Sequence, residues 1–292
     1  MATIYSMRPK TMKISNGKIL STGAVLCTAI YLFVTAPGEL PDGDLVTAGT
    51  NEVSAEQIFN SANSINDAAR FIYTKQIVGP GSKAGLKFGE DWADPGVEKG
   101  PLPALFLRLV AGRMETKPEP LGLYLGSDEP INASNLVSGK HMEQFEIVKN
   151  SVAPSFGETE TGHLVAMYPD VASAQPCVVC HNEHPDSPKT DWKLNDIMGA
   201  TTWTYPSQVV TEADLLDSTR AVFAAIEESY GSYLEKVKTF KEPVEIGTSW
   251  PTEGKRTLPD VGTFMAAVRE AASTQVLYEI LLAQLSAEEI QQ

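Results

Sequence analysis

Cys177-Val178-Val179-Cys180-His181 is the run from which the rest of this chain is read. Two thiols three residues apart, followed at once by an imidazole, form the attachment signature of a c-type haem. Each thiol adds to one vinyl group, and the short loop between them spans the two vinyls. The adjacent histidine then supplies the proximal axial nitrogen. On this reading Cys177 and Cys180 are thioether anchors and His181 is the iron ligand, for one haem. Two alternatives use the same residues. A thioredoxin-type redox pair sits near a βαβ pattern, whereas Asn182-Glu183-His184-Pro185-Asp186 reads here as loop. A structural zinc site would use Cys177, Cys180 and His184 or His181, but zinc draws its four ligands from two separated pairs.

The chain has 292 residues with ordinary hydrophobic content, so a sizeable core can form. Formal net charge is −14, with no acidic residue before Glu39. Setting aside Arg8, Lys10, Lys13 and Lys18 leaves 19 basic against 37 acidic residues, a balance of −18. That excludes nucleic-acid binding by this portion and suits a partner with a basic docking surface. Three cysteines do not make a disulfide framework. The motif uses two and the third, Cys27, lies in an apolar segment, so no soluble thiol is left to bind the iron's far side.

Residues 19 to 36 carry no charge. As a helix they span about 27 Å, close to the hydrocarbon thickness of a bilayer. Basic residues precede them and acidic ones follow, which predicts residues 1 to 18 in the cytoplasm and the body exported. A cleaved signal peptide ending near Ala36-Pro37-Gly38 is the competing reading. Covalent haem attachment belongs to the same exported compartment.

Residues 37 to 53 read as a Pro- and Gly-bearing linker. Ser54-Ala55-Glu56-Gln57 is a capping box opening a helix, with Ile58, Phe59, Ala62, Ile65, Ala69, Ile72 and Tyr73 on one face. Gly79 to Gly100 reads as an insertion or functional loop. Pro103 starts a second helix through Met114, and Leu121 to Leu125 is a strand. Residues 140 to 149 form a third helix. His163 to Tyr168 and Ile197 to Tyr205 are strands on either side of the motif. Helices alternating irregularly with short strands predict an α+β fold, here over 54 to 205. Residues 206 to 292 form a helical extension: one helix from Thr211, a connection over 242 to 260, and a last helix from Val261. It either packs on the preceding domain or binds a partner or second copy.

From His184 the chain continues His-Pro-Asp-Ser-Pro-Lys-Thr-Asp-Trp-Lys-Leu-Asn-Asp-Ile-Met-Gly199. With the motif, and with Tyr73-Thr-Lys75 and Pro101-Leu-Pro-Ala-Leu-Phe106, this resembles a family of exported c-type haem domains of uncharacterised role, found alone or fused to histidine kinases. The similarity covers about 55 to 205. It implies a PAS-like antiparallel sheet with flanking helices, covalent haem at Cys177 and Cys180, and His181 as axial ligand. One departure stands out: the family often has arginine before the matching glycine, and this chain has Met198.

For the iron's other face the candidates are His163, Met198, Met167 and Met114, or an open position. His184 reads as a loop-positioning residue and Trp192 as a core tryptophan. No P-loop, G-x-S-x-G or H-E-x-x-H is present. The expected function is therefore a membrane-anchored monohaem cytochrome transferring single electrons outside the cytoplasmic membrane, a carrier rather than a catalyst. The alternatives are a haem-based redox or gas sensor signalling through a separate partner, or the haem subunit of a larger membrane complex.

Overall fold

The computed structural model describes residues 52–290. The predicted membrane or signal segment at 19–36, Cys27, and all but the end of the 37–53 linker lie outside them. Among the described residues no helix is long and apolar enough to cross a membrane.

Helix α1 (Ala55–Ile72) begins where the capping box predicts. The Ser54 N–H donates to Gln57 Oε1 at 3.0 Å, and Ser54 Oγ accepts from the Glu56 N–H. The helix does not stop at Tyr73. A π-helical turn, Tyr73–Val78, leads into the short α2 (Gly79–Lys83). The stretch read as loop from Gly79 is thus helical at its start, because Pro80 occupies a first-turn position that needs no N–H donor. Strands β1 (Phe88–Gly89) and β2 (Gly100–Pro101) then pair in parallel, and α3 (Pro103–Met114) follows with its proline in the first turn.

Four antiparallel strands form the sheet: β3 (Gly122–Gly126), β4 (Ser155–Glu158), β5 (Leu164–Val171) and β6 (Ile197–Tyr205), in the order β3-β6-β5-β4. The period of two in β5 and β6 divides their side chains between two cores. Ala166, Tyr168, Trp203 and Tyr205 join the helical core on one face. Met167, Ile197 and Ala200 pack with Phe145 and Val148 of α4 (Lys140–Ser151) on the other. The result is a mixed α+β fold with helices on both faces of a small antiparallel sheet.

The C-terminal helices are α6 (Glu212–Val237) and α7 (Val261–Ile290). Between them β7 (Glu245–Gly247) and β8 (Thr257–Pro259) pair in parallel. Both helices share the core of α1 and α3: Ile58, Phe59, Phe106, Tyr230, Tyr233 and Phe264 are all fully buried in one cluster. Tyr73 stacks on Phe106 with centroids 4.4 Å apart, and Tyr230 on Phe264 at 4.0 Å. Gln57 Nε2 donates to the Glu279 carbonyl at 3.2 Å, tying the start of α1 to the later part of α7. The extension read as 206–292 completes the core that α1 begins.

Candidate functional site

The motif lies on a short helix, α5 (Gln175–Glu183), that follows β5 and has Pro176 in its first turn. Spacings of three and four residues bring Cys177, Cys180 and His181 to one side of it. Asn182 and Glu183, read from sequence as loop, are its last turn. The chain leaves the helix at His184, whose Nδ1 accepts from the Asp186 N–H at 3.1 Å. The loop reading failed because nine residues with little amphipathic contrast carry almost no periodic signal.

Val178 points inward, packing with Ala172, Trp192 and Met198, and Cys177 borders this cluster. Both motif cysteines are free thiols; Cys177 is half-buried and Cys180 exposed. Partial burial raises the Cys180 thiol pKa, and Glu90, Cys177 and Glu183 add to the rise. The thiol therefore stays protonated at neutral pH and resists adventitious thiolate chemistry.

His181 is half-buried, with its ring edge-on to Trp192 at 6.2 Å and 86°. Burial lowers its pKa, Asp170 opposes that, and His184 adds to the lowering. The imidazole is thus neutral at pH 7, the form that binds a metal. Its Nδ1 is buried without a hydrogen-bond partner.

Three supports around the motif had no signal in the sequence. Asn182 clamps the backbone of Trp192: its Oδ1 accepts the Trp192 N–H at 2.8 Å and its Nδ2 donates to the Trp192 carbonyl at 3.0 Å. Arg70, on α1, forms an ion pair with Asp170 at the end of β5 and donates from Nη2 to Thr201 Oγ1 at 2.9 Å. Glu90, in the glycine-rich stretch, lies 3.5 Å from His184 Nε2, so that stretch reaches the motif.

Met198 occupies a β-bulge. Asp170 pairs with Gly199 but Val171 pairs with Ile197, leaving Met198 as the extra residue. Bulges re-aim side chains, and this one sends Met198 into the cluster beneath α5. Ser127 Oγ donates to the Met198 carbonyl at 2.7 Å. The neighbouring Gly199 has no room for a side chain, since a Cβ there would meet the Gly126 carbonyl oxygen at 2.7 Å.

The structure separates the four side chains that the sequence offers as a second axial ligand. His163 is exposed at the far end of β5, roughly 26 Å along an eight-residue strand from the motif end. Met114 and Met167 are buried in the other two cores. Met198 alone of the four shares the motif's cluster.

Among the described residues no three His, Cys, Asp or Glu side chains converge as a metal cage, and a zinc site on Cys177, Cys180 and His181 or His184 would require that. A cleft of about 350 Å³ lies elsewhere, lined by Lys87, Asp91, Lys99, Glu242 and Arg256 among others. Two free thiols and one neutral imidazole, with neither ring nitrogen hydrogen-bonded, share a side of α5. That donor set would suit a covalently held haem, the sulfurs offering thioether bonds and the imidazole an iron ligand.

The fold and site define a mixed α+β domain organised around a C-x-x-C-H helix. Comparison with family models identifies residues 50–206 as Tll0287-like (Tll0287), and the chain belongs to that family. The matched stretch contains the sheet, α1 and the motif helix and stops before α6. Comparison with curated proteins and with solved structures finds no match.

Proposed function

We propose that this protein is an exported, membrane-anchored monohaem c-type cytochrome that passes single electrons to a partner. Cys177 and Cys180 are its haem attachment sites and His181 is its axial ligand. The observation that carries this reading is the grouping of two free thiols and a neutral, hydrogen-bond-free imidazole on one side of α5. The haem would supply the one-electron chemistry. The chain's own residues would anchor it, hold a neutral nitrogen ready and pack Trp192 beside that nitrogen. The antiparallel order β3-β6-β5-β4 with flanking helices supports a PAS-like reading of the domain. Glu90 and Glu183 lie close enough to act on the exposed Cys180 thiol, and acidic neighbours of this kind suit a redox partner with a basic surface.

An absorption spectrum of the denatured chain in alkaline pyridine tests the reading. The expected result is a c-type α-band that survives acid–acetone extraction in wild type. Cys177→Ala and Cys180→Ala should each shift that band toward a single-thioether species, and the double variant should lose haem on extraction. Full covalent haem in the double variant would sink the assignment.

A sensor remains the second reading, because the structure places three of the four far-side candidates away from the motif. Carbon monoxide separates the two. An unchanged ferrous spectrum under CO favours the carrier, and a CO adduct forming at micromolar gas favours the sensor.

A further inference from the structure

Helix α7 is apolar on more than one side. From Ala271 to Gln284 it holds a single charged residue, Glu279, and that residue is buried. Ala272 and Ala283 face the core on the same side. On the outer side Leu277, Tyr278 and Leu281 are 57%, 55% and 48% exposed. A helix that is apolar all round is normally covered all round, so this side calls for an occupant.

The place of the face in the fold bears on what that occupant is. Gln57, in the first turn of α1, donates to the Glu279 carbonyl, so the face lies beside the start of α1. The upstream chain joins the fold at the same end: Glu52 bridges Thr211, and the Val53 N–H donates to the Val210 carbonyl at 2.8 Å. The uncharged segment at 19–36, read above as a membrane anchor, is thus tethered through the end of the fold that carries this face. The motif lies toward the other end of α1, where Arg70 pairs with Asp170 shortly before α5. Gln57 and Arg70 are about 20 Å apart along the helix axis.

Charge and area narrow the choice. Every exposed position from Ala271 to Gln284 is uncharged, on a chain of net charge −14. A basic protein surface would find no acidic group to pair with here. Three half-exposed side chains offer roughly 300 Å², against about 800 Å² per partner in a stable interface, which is too little for a second copy. A bilayer surface needs neither charge nor large area. Leucines beside a tyrosine, whose ring is apolar and whose hydroxyl is polar, suit the headgroup boundary.

We propose that Leu277, Tyr278 and Leu281 on the outer face of α7 rest against the zwitterionic lipid surface in which the chain is anchored, with the C-x-x-C-H helix held toward the far end of α1. This rests on the membrane-anchor reading given above.

The experiment uses the full chain in phosphatidylcholine vesicles whose lipids are brominated high in the acyl chain, and reads tryptophan emission against wild type. Tyr278→Trp should add emission that the brominated lipid quenches. Phe71→Trp, at a site 56% exposed beside Arg70, should add emission that is not quenched. Adding Leu277→Glu and Leu281→Glu to Tyr278→Trp should relieve the quenching, and both leucines are exposed enough for the chain to fold without them. An unquenched Tyr278→Trp signal, or equal quenching of both probes, would overturn the proposal. Cross-linking of wild type into a dimer that the two glutamates abolish, with Tyr278→Trp unquenched, would assign the face to a second copy instead. An alkaline carbonate wash tests the anchor separately, since release of wild type from the vesicles defeats that reading alone. Flotation of the released chain with fresh vesicles then decides on α7: wild type should float and the double glutamate variant should not, and the same behaviour in both refutes the lipid contact.

Discussion

Removing the amide of Asn182 tests how the motif helix is tied to Trp192. Asn182→Ala deletes two hydrogen bonds, at 2.8 and 3.0 Å, both to the backbone of a residue only 5% exposed. A hydrogen bond contributes about 1 kcal/mol net, and a backbone group left unpaired away from water costs about 1–3 kcal/mol. The combined loss is about 2–3 kcal/mol. For an ordered unit of this size each kcal/mol lowers the Tm by about 2–4 °C, so a fall of about 4–12 °C is expected in a thermal melt followed by circular dichroism. Asn182→Asp keeps the acceptor for the Trp192 N–H but loses the donor to its carbonyl, and should fall between. Near-ultraviolet circular dichroism should weaken in parallel, since Trp192 holds its edge-on contact with His181 only while its backbone is fixed. A Tm within about 1 °C of wild type, with an unchanged near-ultraviolet spectrum, would refute the reasoning.

Gly199→Ala forces a Cβ against the Gly126 carbonyl oxygen, which is backbone within the same sheet and cannot swing aside. Overpacking of this kind costs about 1–3 kcal/mol, read as a lower urea midpoint. Ser127→Ala strips the donor from the Met198 carbonyl at the bulge and should cost about 1–2 kcal/mol in the same assay. Asp214 supplies a pH dependence. Burial raises its pKa, but hydrogen bonds from the Thr211 side chain and backbone and from Tyr205 outweigh this and hold it below the ordinary value. A depressed carboxylate adds stability that is fully present above its unfolded-state pKa of about 3.9 and is lost as pH falls through the folded value. Urea midpoints should therefore fall more steeply below about pH 4 in wild type than in Asp214→Asn.

Features governed by local chemistry could be read from the sequence. The capping box at Ser54 and the apolar spacing after it locate α1, and Thr211 with Asp214 does the same for α6. Strand β6 emerges with the bounds its β-branched and aromatic run suggests. Strand β4 went unread because Ser155-Phe-Gly-Glu158 has no alternation of large apolar groups; it is an edge strand whose pairing is set by the hairpin to β5. The two- and three-residue strands β1, β2, β7 and β8 are too short for any periodicity. At the site, the thiols and the imidazole were visible from spacing alone. Arg70, Asp170 and Asn182 were not, since each is one polar residue whose partner lies elsewhere: Arg70 and Asp170 are 100 positions apart. Arg70 also sits on a helix whose legible signals were its cap and its apolar face.

The partnership of α1 with α7 sets an order of events. A chain emerges from its N-terminus, and α1 is made first among the described elements while α7 is made last. Until α7 returns, Ile58, Phe59 and their neighbours lack part of their cover. Contacts between the two ends of a chain form late, because loop closure must precede their reward. The thiols at 177 and 180 therefore clear the ribosome before the core can close. Until that closure Cys177 and Cys180 belong to a chain whose largest core is still open.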